Sequence, residues 1–169
     1  MSFLDAVTIC LIKKYAQFQG RACRAEFWWF VLFFLITFVL TELSVEVFWY
    51  LLTNAGLLKE QTIPTLVGLA LPYLSLIITC LILITPLSAV TVRRLHDVNK
   101  SGKLVILPTA VMLVSICIAV GAQALGLQSL ILFGAALSSL AGILAIACFI
   151  MTMLKGTEGT NLYGEDPLR

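Results

Sequence analysis

The sequence predicts an all-α membrane protein: four transmembrane helices preceded by a short amphipathic surface helix. Three observations lead there. Of 169 residues, 60% are hydrophobic and only 12% charged, which is more apolar surface than a soluble domain of this size buries, so the exterior is expected to face lipid. The stretch from Leu104 to Leu154 contains no Asp, Glu, Lys or Arg. As one helix it would be about 76 Å long against about 30 Å of hydrocarbon, so it must cross twice. The charges that do occur fall in short blocks between long apolar runs, as loops between spans require.

In order along the chain, residues 3–18 read as the surface helix: Leu4, Val7, Leu11, Tyr15 and Phe18 recur every three or four positions, with Asp5, Lys13 and Gln17 between them. The apolar stretch precedes Lys13 and Lys14, the reverse of a cleavable signal peptide, so the first span is expected to be the anchor. That span covers about 27–52 and opens on the aromatic run Phe27 to Phe30, where indole rings prefer the headgroup level. The second covers about 65–90, with Pro64 suited to its first turn and Pro72 and Pro86 expected to kink it. The third and fourth cover about 104–121 and 129–154, divided by a turn over Gly121–Gln128, where two glycines and two glutamines interrupt the aliphatic pattern. Residues 155–169 form a tail, and the whole chain reads as a single membrane domain.

Orientation follows from the basic residues. Lys13, Lys14, Arg21 and Arg24 precede the first span, Arg93, Arg94, Lys100 and Lys103 lie between the second and third, and Lys155 and Arg169 follow the fourth, with only Lys59 on the other side. Basic residues resist translocation, so both termini and the central loop are expected in the cytoplasm. Three polar stretches then gather at one face: Gly20 to Trp29 (GRACRAEFWW), Arg93 to Gly102 (RRLHDVNKSG) and Gly156 to Pro167 (GTEGTNLYGEDP). In this order and spacing they resemble the bacterial inner-membrane family known as domain of unknown function 805, over nearly the whole chain. The family pattern continues Ser-Gly with tryptophan, where this chain has Lys103 and Leu104. The resemblance implies a multi-pass protein of the inner membrane and no particular activity.

Each polar residue has a structural reading beside a functional one. Arg21 and Arg24 can face phosphates, with Glu26 as a partner for one of them or for the central loop, yet basic flanks ordinarily anchor a span to headgroups. Arg93 and Asp97, four apart, would pair on a helical extension of the second span, and Ser101 would cap the third. His96 is the sole histidine, which excludes a multi-histidine metal site and favours a structural role. Asn161 and Tyr163 can bond the central loop, and Glu165 or Asp166 can neutralise an arginine. An anion site and an internally paired scaffold would use the same residues, and both stay open at this point.

Within the membrane, Glu42 and Glu46 lie in the outer half of the first span. Both are read as lying close to the outer interface, although an ionisable group at depth is a functional candidate. Gly134, Ser138 and Gly142 permit close helix packing, inside the protein or across a homodimer. The cysteines (10, 23, 80, 117 and 148) form no paired motif, so neither disulfides, metal nor cofactor is expected. A net charge of +2 gives no footprint for nucleic acid.

The expected function is non-enzymatic: a cytoplasmic-face cluster that binds anionic lipid headgroups of the bilayer or a protein partner. The alternative is a small transporter or channel subunit, drawing on Glu42 and Glu46 of the first span and the prolines of the second. An enzyme using His96, Asp97 and Ser101 ranks below both, because neighbours in sequence do not readily form a nucleophile, base and orienter triangle.

Overall fold

A computed structural model describes residues 1–55 and 63–167, without the side chains of residues 63–69 and 72. Lys59 and Arg169, used for the charge count, and the side chains of Pro64 and Pro72 lie outside the described residues. The elements are α1 (Phe3–Thr8) continued by a wider turn over Ile9–Lys13, α2 (Arg24–Asn54), α3 (Ile63–Asp97), α4 (Lys103–Leu125) and α5 (Gln128–Met153). Among the described residues there is no strand. Among the described residues, four helices are long and apolar enough to cross a membrane: Arg24–Asn54, Tyr73–Asp97, Lys103–Leu125 and Gln128–Met153. Two compact units divide the chain: one comprises Met1–Ala16 with Trp28–Leu87, the other Gln17–Phe27 with Ser88–Arg169.

In the first unit, α1 starts on a reciprocal cap. The Ser2 hydroxyl accepts from the Asp5 amide, and the Asp5 carboxylate accepts from the Ser2 amide. The hydrogen bonds from Ser2 hold the Asp5 carboxyl below its ordinary value, so the cap is complete at neutral pH and is lost as pH falls through that lowered value. The helix runs only to Lys13, not to residue 18, because the turn widens (the Lys14 amide reaches back to Ile9 O, 2.7 Å) and Lys14 then leaves helical angles. Its inward face also differs from the expected stripe. The small residues Ala6 and Cys10 are buried, Leu4 and Ile12 are exposed, and Phe3 meets Trp29 edge-on at 5.9 Å.

Tyr15 performs a further task. Pro86 has no N–H, so the carbonyl of Ile82, four residues earlier in α3, loses its helical donor. The Tyr15 hydroxyl donates to that carbonyl at 2.6 Å. The helix therefore continues through the buried Pro86 with its freed acceptor satisfied, as an apolar surrounding demands.

The second unit solves the same problem the same way. Pro108 sits inside α4 and frees the carbonyl of Leu104, to which the Cys148 thiol of α5 donates at 3.1 Å. The two helices pack where α5 is thin: a Cβ on Gly134 would already touch Ala119, the Ser115 hydroxyl donates to Gly134 O at 2.9 Å and contacts Ser138, and Ala122 and Ala141 are buried. Gly142 faces open space, so Gly134 and Ser138 alone of the small-residue series serve this contact. The turn between the helices is shorter than the expected Gly121–Gln128. Gly121 stays helical, and the chain reverses at Gly126 (φ 67°), with the Leu127 amide returning to Ala122 O at 2.9 Å.

Removing the Tyr15 hydroxyl isolates its role. Tyr15→Phe is expected to lower unfolding stability in detergent by about 1 kcal/mol, the usual net worth of such a bond. In a Pro86→Ala background, where residue 86 regains its own N–H, the same change should cost close to nothing. Thermal unfolding of the four proteins in this cycle checks it, and equal losses in both backgrounds would refute the assignment.

Candidate functional site

The polar residues of the second unit lie where the start of α2, the end of α3, the start of α4 and the end of α5 meet. Helix α3 carries Arg93, Arg94 and Asp97 in its last turns, and Asn99 then takes a left-handed conformation (φ 57°) that asparagine tolerates. The Lys100 amide returns to Leu95 O at 2.9 Å to close the turn. Gly102 follows because a side chain there would collide with Val92 and meet His96 Nε2 at 3.2 Å. Ser101 touches the start of α4 from one position before the cap: its hydroxyl accepts from the Lys103 amide at 3.3 Å, while Gly102 occupies the cap itself.

Asp97 is the centre. One carboxylate oxygen accepts from Arg21 Nε (2.9 Å) and lies 2.8 Å from Arg21 Nη2; the other accepts from Arg94 Nη1. All three residues are buried: Arg21 is 5% exposed, Arg94 0% and Asp97 4%. Both guanidiniums also donate to main-chain oxygens. Arg21 donates to Thr157 O and Gly159 O, both at 2.5 Å, and Arg94 donates to Thr152 O (2.9 Å) and to Leu154 O. The last two are the carbonyls that the end of α5 leaves without helical donors, at the negative pole of its dipole. Arg93 pairs with Glu26 in the first turn of α2, and both are buried.

The end of α3 is sealed in the same manner. Arg93 O accepts from the Ala22 amide (3.0 Å), His96 O from Asn161 Nδ2 (2.9 Å), and Asp97 O from both the amide (2.8 Å) and the hydroxyl (3.1 Å) of Thr157. His96 Nδ1 lies 3.1 Å from Gly20 O, an acceptor, so Nδ1 carries the proton. The ring of Tyr163 stacks flat on His96, with centroids 3.9 Å apart and planes 3° from parallel. The tail forms its own tight turn, Asn161 N to Gly164 O at 3.1 Å. Gly156 passes so close to the Asp97 carboxylate that any Cβ would overlap it.

This arrangement corrects several expectations. The partner of Arg93 is Glu26 and not Asp97, because Asp97 turns to Arg94, three residues earlier on the same face, and to Arg21. Glu26 and Asp97, rather than Glu165 or Asp166, meet the buried arginines: Glu165 is exposed, and Asp166 accepts from the Gly159 amide within the tail. His96, Asp97 and Ser101 do not assemble a relay, since Asp97 is engaged by two guanidiniums and His96 by Gly20. Glu42 and Glu46 belong to the other unit. Among the described residues, no three His, Cys, Asp or Glu side chains could share a metal ion.

Arg24 stands apart. It is exposed, its Nε donates to Leu154 O at 3.1 Å, and it takes part in none of the four ion pairs among the described residues. It lines a hollow of about 440 Å³ together with Arg94, Lys155, Gly156, Thr157 and Asp166. Lys155 and Glu158 form an exposed pair at 2.7 Å beside it. The main-chain acceptors and the hollow were not legible as a site, because no side-chain motif encodes a carbonyl.

The buried pairs set a clear order of stability. Asp97→Asn leaves two buried guanidiniums without their carboxylate and is expected to cost about 3–5 kcal/mol. Lys155→Ala removes an exposed pair (78% and 83% exposed) and is expected to leave stability almost unchanged. Thermal unfolding and expression yield compare them; similar small losses for both would contradict the reading of Asp97 as the centre.

Comparison with known proteins finds relatives among inner membrane proteins. The chain is 27% identical to the inner membrane protein YhaI of Escherichia coli strain K12 over 159 residues, covering 94% of this chain and 92% of that protein. It is 33% identical to the inner membrane protein YhaH of the same strain over 93 residues, covering 54% of this chain and 63% of that one. No solved structure matches. The family model described as protein of unknown function (DUF805) matches residues 15–165, a range that takes in all three polar stretches, and the chain belongs to that family of membrane proteins.

Proposed function

We propose that this is a non-enzymatic protein of the inner membrane, with both termini and the polar cluster in the cytoplasm, whose exposed Arg24 binds the phosphate of an anionic lipid headgroup. The observation that carries the reading is the contrast among four arginines. Arg21, Arg93 and Arg94 are buried against Asp97 and Glu26, so their charge is spent inside the fold. Arg24 is exposed and lines the hollow, as do Lys155 and its partner Glu158. It is also the first residue of α2, where the helix dipole favours an anion.

The cytoplasmic orientation draws on the distribution of Lys and Arg, ten of eleven in the segments assigned to that side. The non-enzymatic reading draws on the engagement of His96 and Asp97 by structural partners. A transporter or channel subunit is the second reading, and the bond between Ser75 and Glu42 is the observation that favours it.

Arg24→Gln tests the lipid site without disturbing the buried pairs. A basic residue near an anionic surface is worth about 1 kcal/mol, so retention of anionic lipid in native mass spectrometry is expected to fall roughly five-fold, with zwitterionic lipid unaffected. Unchanged retention would end the proposal. For orientation, Leu162→Cys at the exposed tip of the tail turn should react with an impermeant thiol reagent only after the cells are opened, measured against the unmodified chain.

A further inference from the structure

Beyond Met153 the chain leaves α5, and within a few residues it places a base and an acid, Lys155 and Glu158, both lining the hollow beside Arg24. The two pair at 2.7 Å with side chains 78% and 83% exposed. An ion pair so open to water does little to hold a fold together. The tail is held by other contacts: Arg21 donates to Thr157 O and to Gly159 O, the carbonyls on either side of Glu158, and Thr157 bonds Asp97 O through its amide and its hydroxyl. The main chain at Glu158 is thus fixed on both sides, and its side chain can turn away from Lys155 without moving the tail.

Lys155 is kept beside Arg24 by a comparable contact. Arg24 Nε donates at 3.1 Å to the carbonyl of Leu154, the residue immediately before Lys155. The hydrogen bond from Glu158 raises the Lys155 ammonium above its ordinary value, and the charge of Arg24 works against it. Lys155 in turn holds the Glu158 carboxyl below its ordinary value, while the charge of Asp166, which also lines the hollow, opposes that shift. Each member of the exposed pair therefore feels a like charge as well as its partner. A phosphate has oxygens for more than one donor and can serve Arg24 and Lys155 together, whereas the Glu158 carboxylate has Asp166 against it.

We infer that Glu158 is an internal competitor for the anion site: it holds Lys155 until a phosphate bound at Arg24 takes Lys155 as its second cation. The inference rests on the reading of Arg24 as a phosphate-binding residue. The exchange makes and breaks no covalent bond; one ion pair replaces another, and the Glu158 carboxylate passes to solvent. A tethered carboxylate acts at a high effective concentration, so an anion that engages only one cation weakly does not displace it.

Native mass spectrometry of the full chain in detergent tests the exchange, with phosphatidylglycerol as the anionic probe, phosphatidylcholine as the zwitterionic control and inorganic phosphate as the soluble probe. Glu158→Gln is expected to raise phosphatidylglycerol retention roughly five-fold, the effect of one basic residue released near an anion. In a Lys155→Gln background the same change should have almost no effect. Equal gains in both backgrounds would show that Glu158 only repels anions at a distance, and would overturn the inference, as would no gain in either. A gain confined to inorganic phosphate would support the exchange and assign the site to free phosphate in place of lipid. Arg24→Gln separates this inference from the reading beneath it. Retention that falls in Arg24→Gln but ignores Glu158→Gln ends the competitor and leaves the lipid site; a Lys155-dependent gain with Arg24→Gln silent supports the exchange and removes Arg24 from the site.

Discussion

A single carboxylate, that of Asp97, holds two buried guanidiniums, and the organisation of the second unit depends on it. One negative charge does not balance two positive ones. The remainder is met by main-chain oxygens: Thr152 and Leu154 at the end of α5 for Arg94, Thr157 and Gly159 in the tail for Arg21. Carbonyls at a helix C-terminus carry partial negative charge and have no helical donors, so they stabilise a cation and are satisfied by it together. Four separated segments, those before α2, at the end of α3, at the end of α5 and in the tail, are thereby tied to one carboxyl group. Gly156 is required for the same reason, because the tail must pass against Asp97 with no side chain between.

The apolar part of the chain obeys the same rule with weaker groups. A proline in a helix frees a carbonyl four residues earlier, and in lipid no water replaces the lost donor. Tyr15 meets Ile82 for Pro86, and Cys148 meets Leu104 for Pro108. The hydroxyls of Thr37 and Thr41 return to carbonyls of their own helix, so they add no unmet polar group to its surface. Proline, cysteine and threonine in these spans thus belong to one scheme of hydrogen-bond satisfaction.

The four spans were legible because hydropathy over twenty residues is a strong, local signal, and the uncharged run from Leu104 onward admits no other reading. The polar motifs were legible as a cluster for a related reason: once spans alternate, segments at even intervals share a side. Pairing within the cluster was not legible. Arg93 and Arg94 are adjacent in sequence, point about 100° apart on a helix, and so meet different partners, Glu26 and Asp97. Which faces which depends on the rotation of α3, and hydropathy does not report rotation where both faces are apolar. The orphaned carbonyls of Ile82 and Leu104 can be read from the prolines, but their donors lie 67 and 44 residues away, beyond any local rule.

The second unit shows how the fold keeps ionisable groups out of water. Where acids and bases occur together, as in Glu26 with Arg93 and Asp97 with Arg21 and Arg94, each charge is retained and matched, and its proton need not move. Burial alone therefore does not distinguish scaffold from site. The distinction lies in whether the chain supplies the counter-charge, and by that criterion the buried arginines are scaffold.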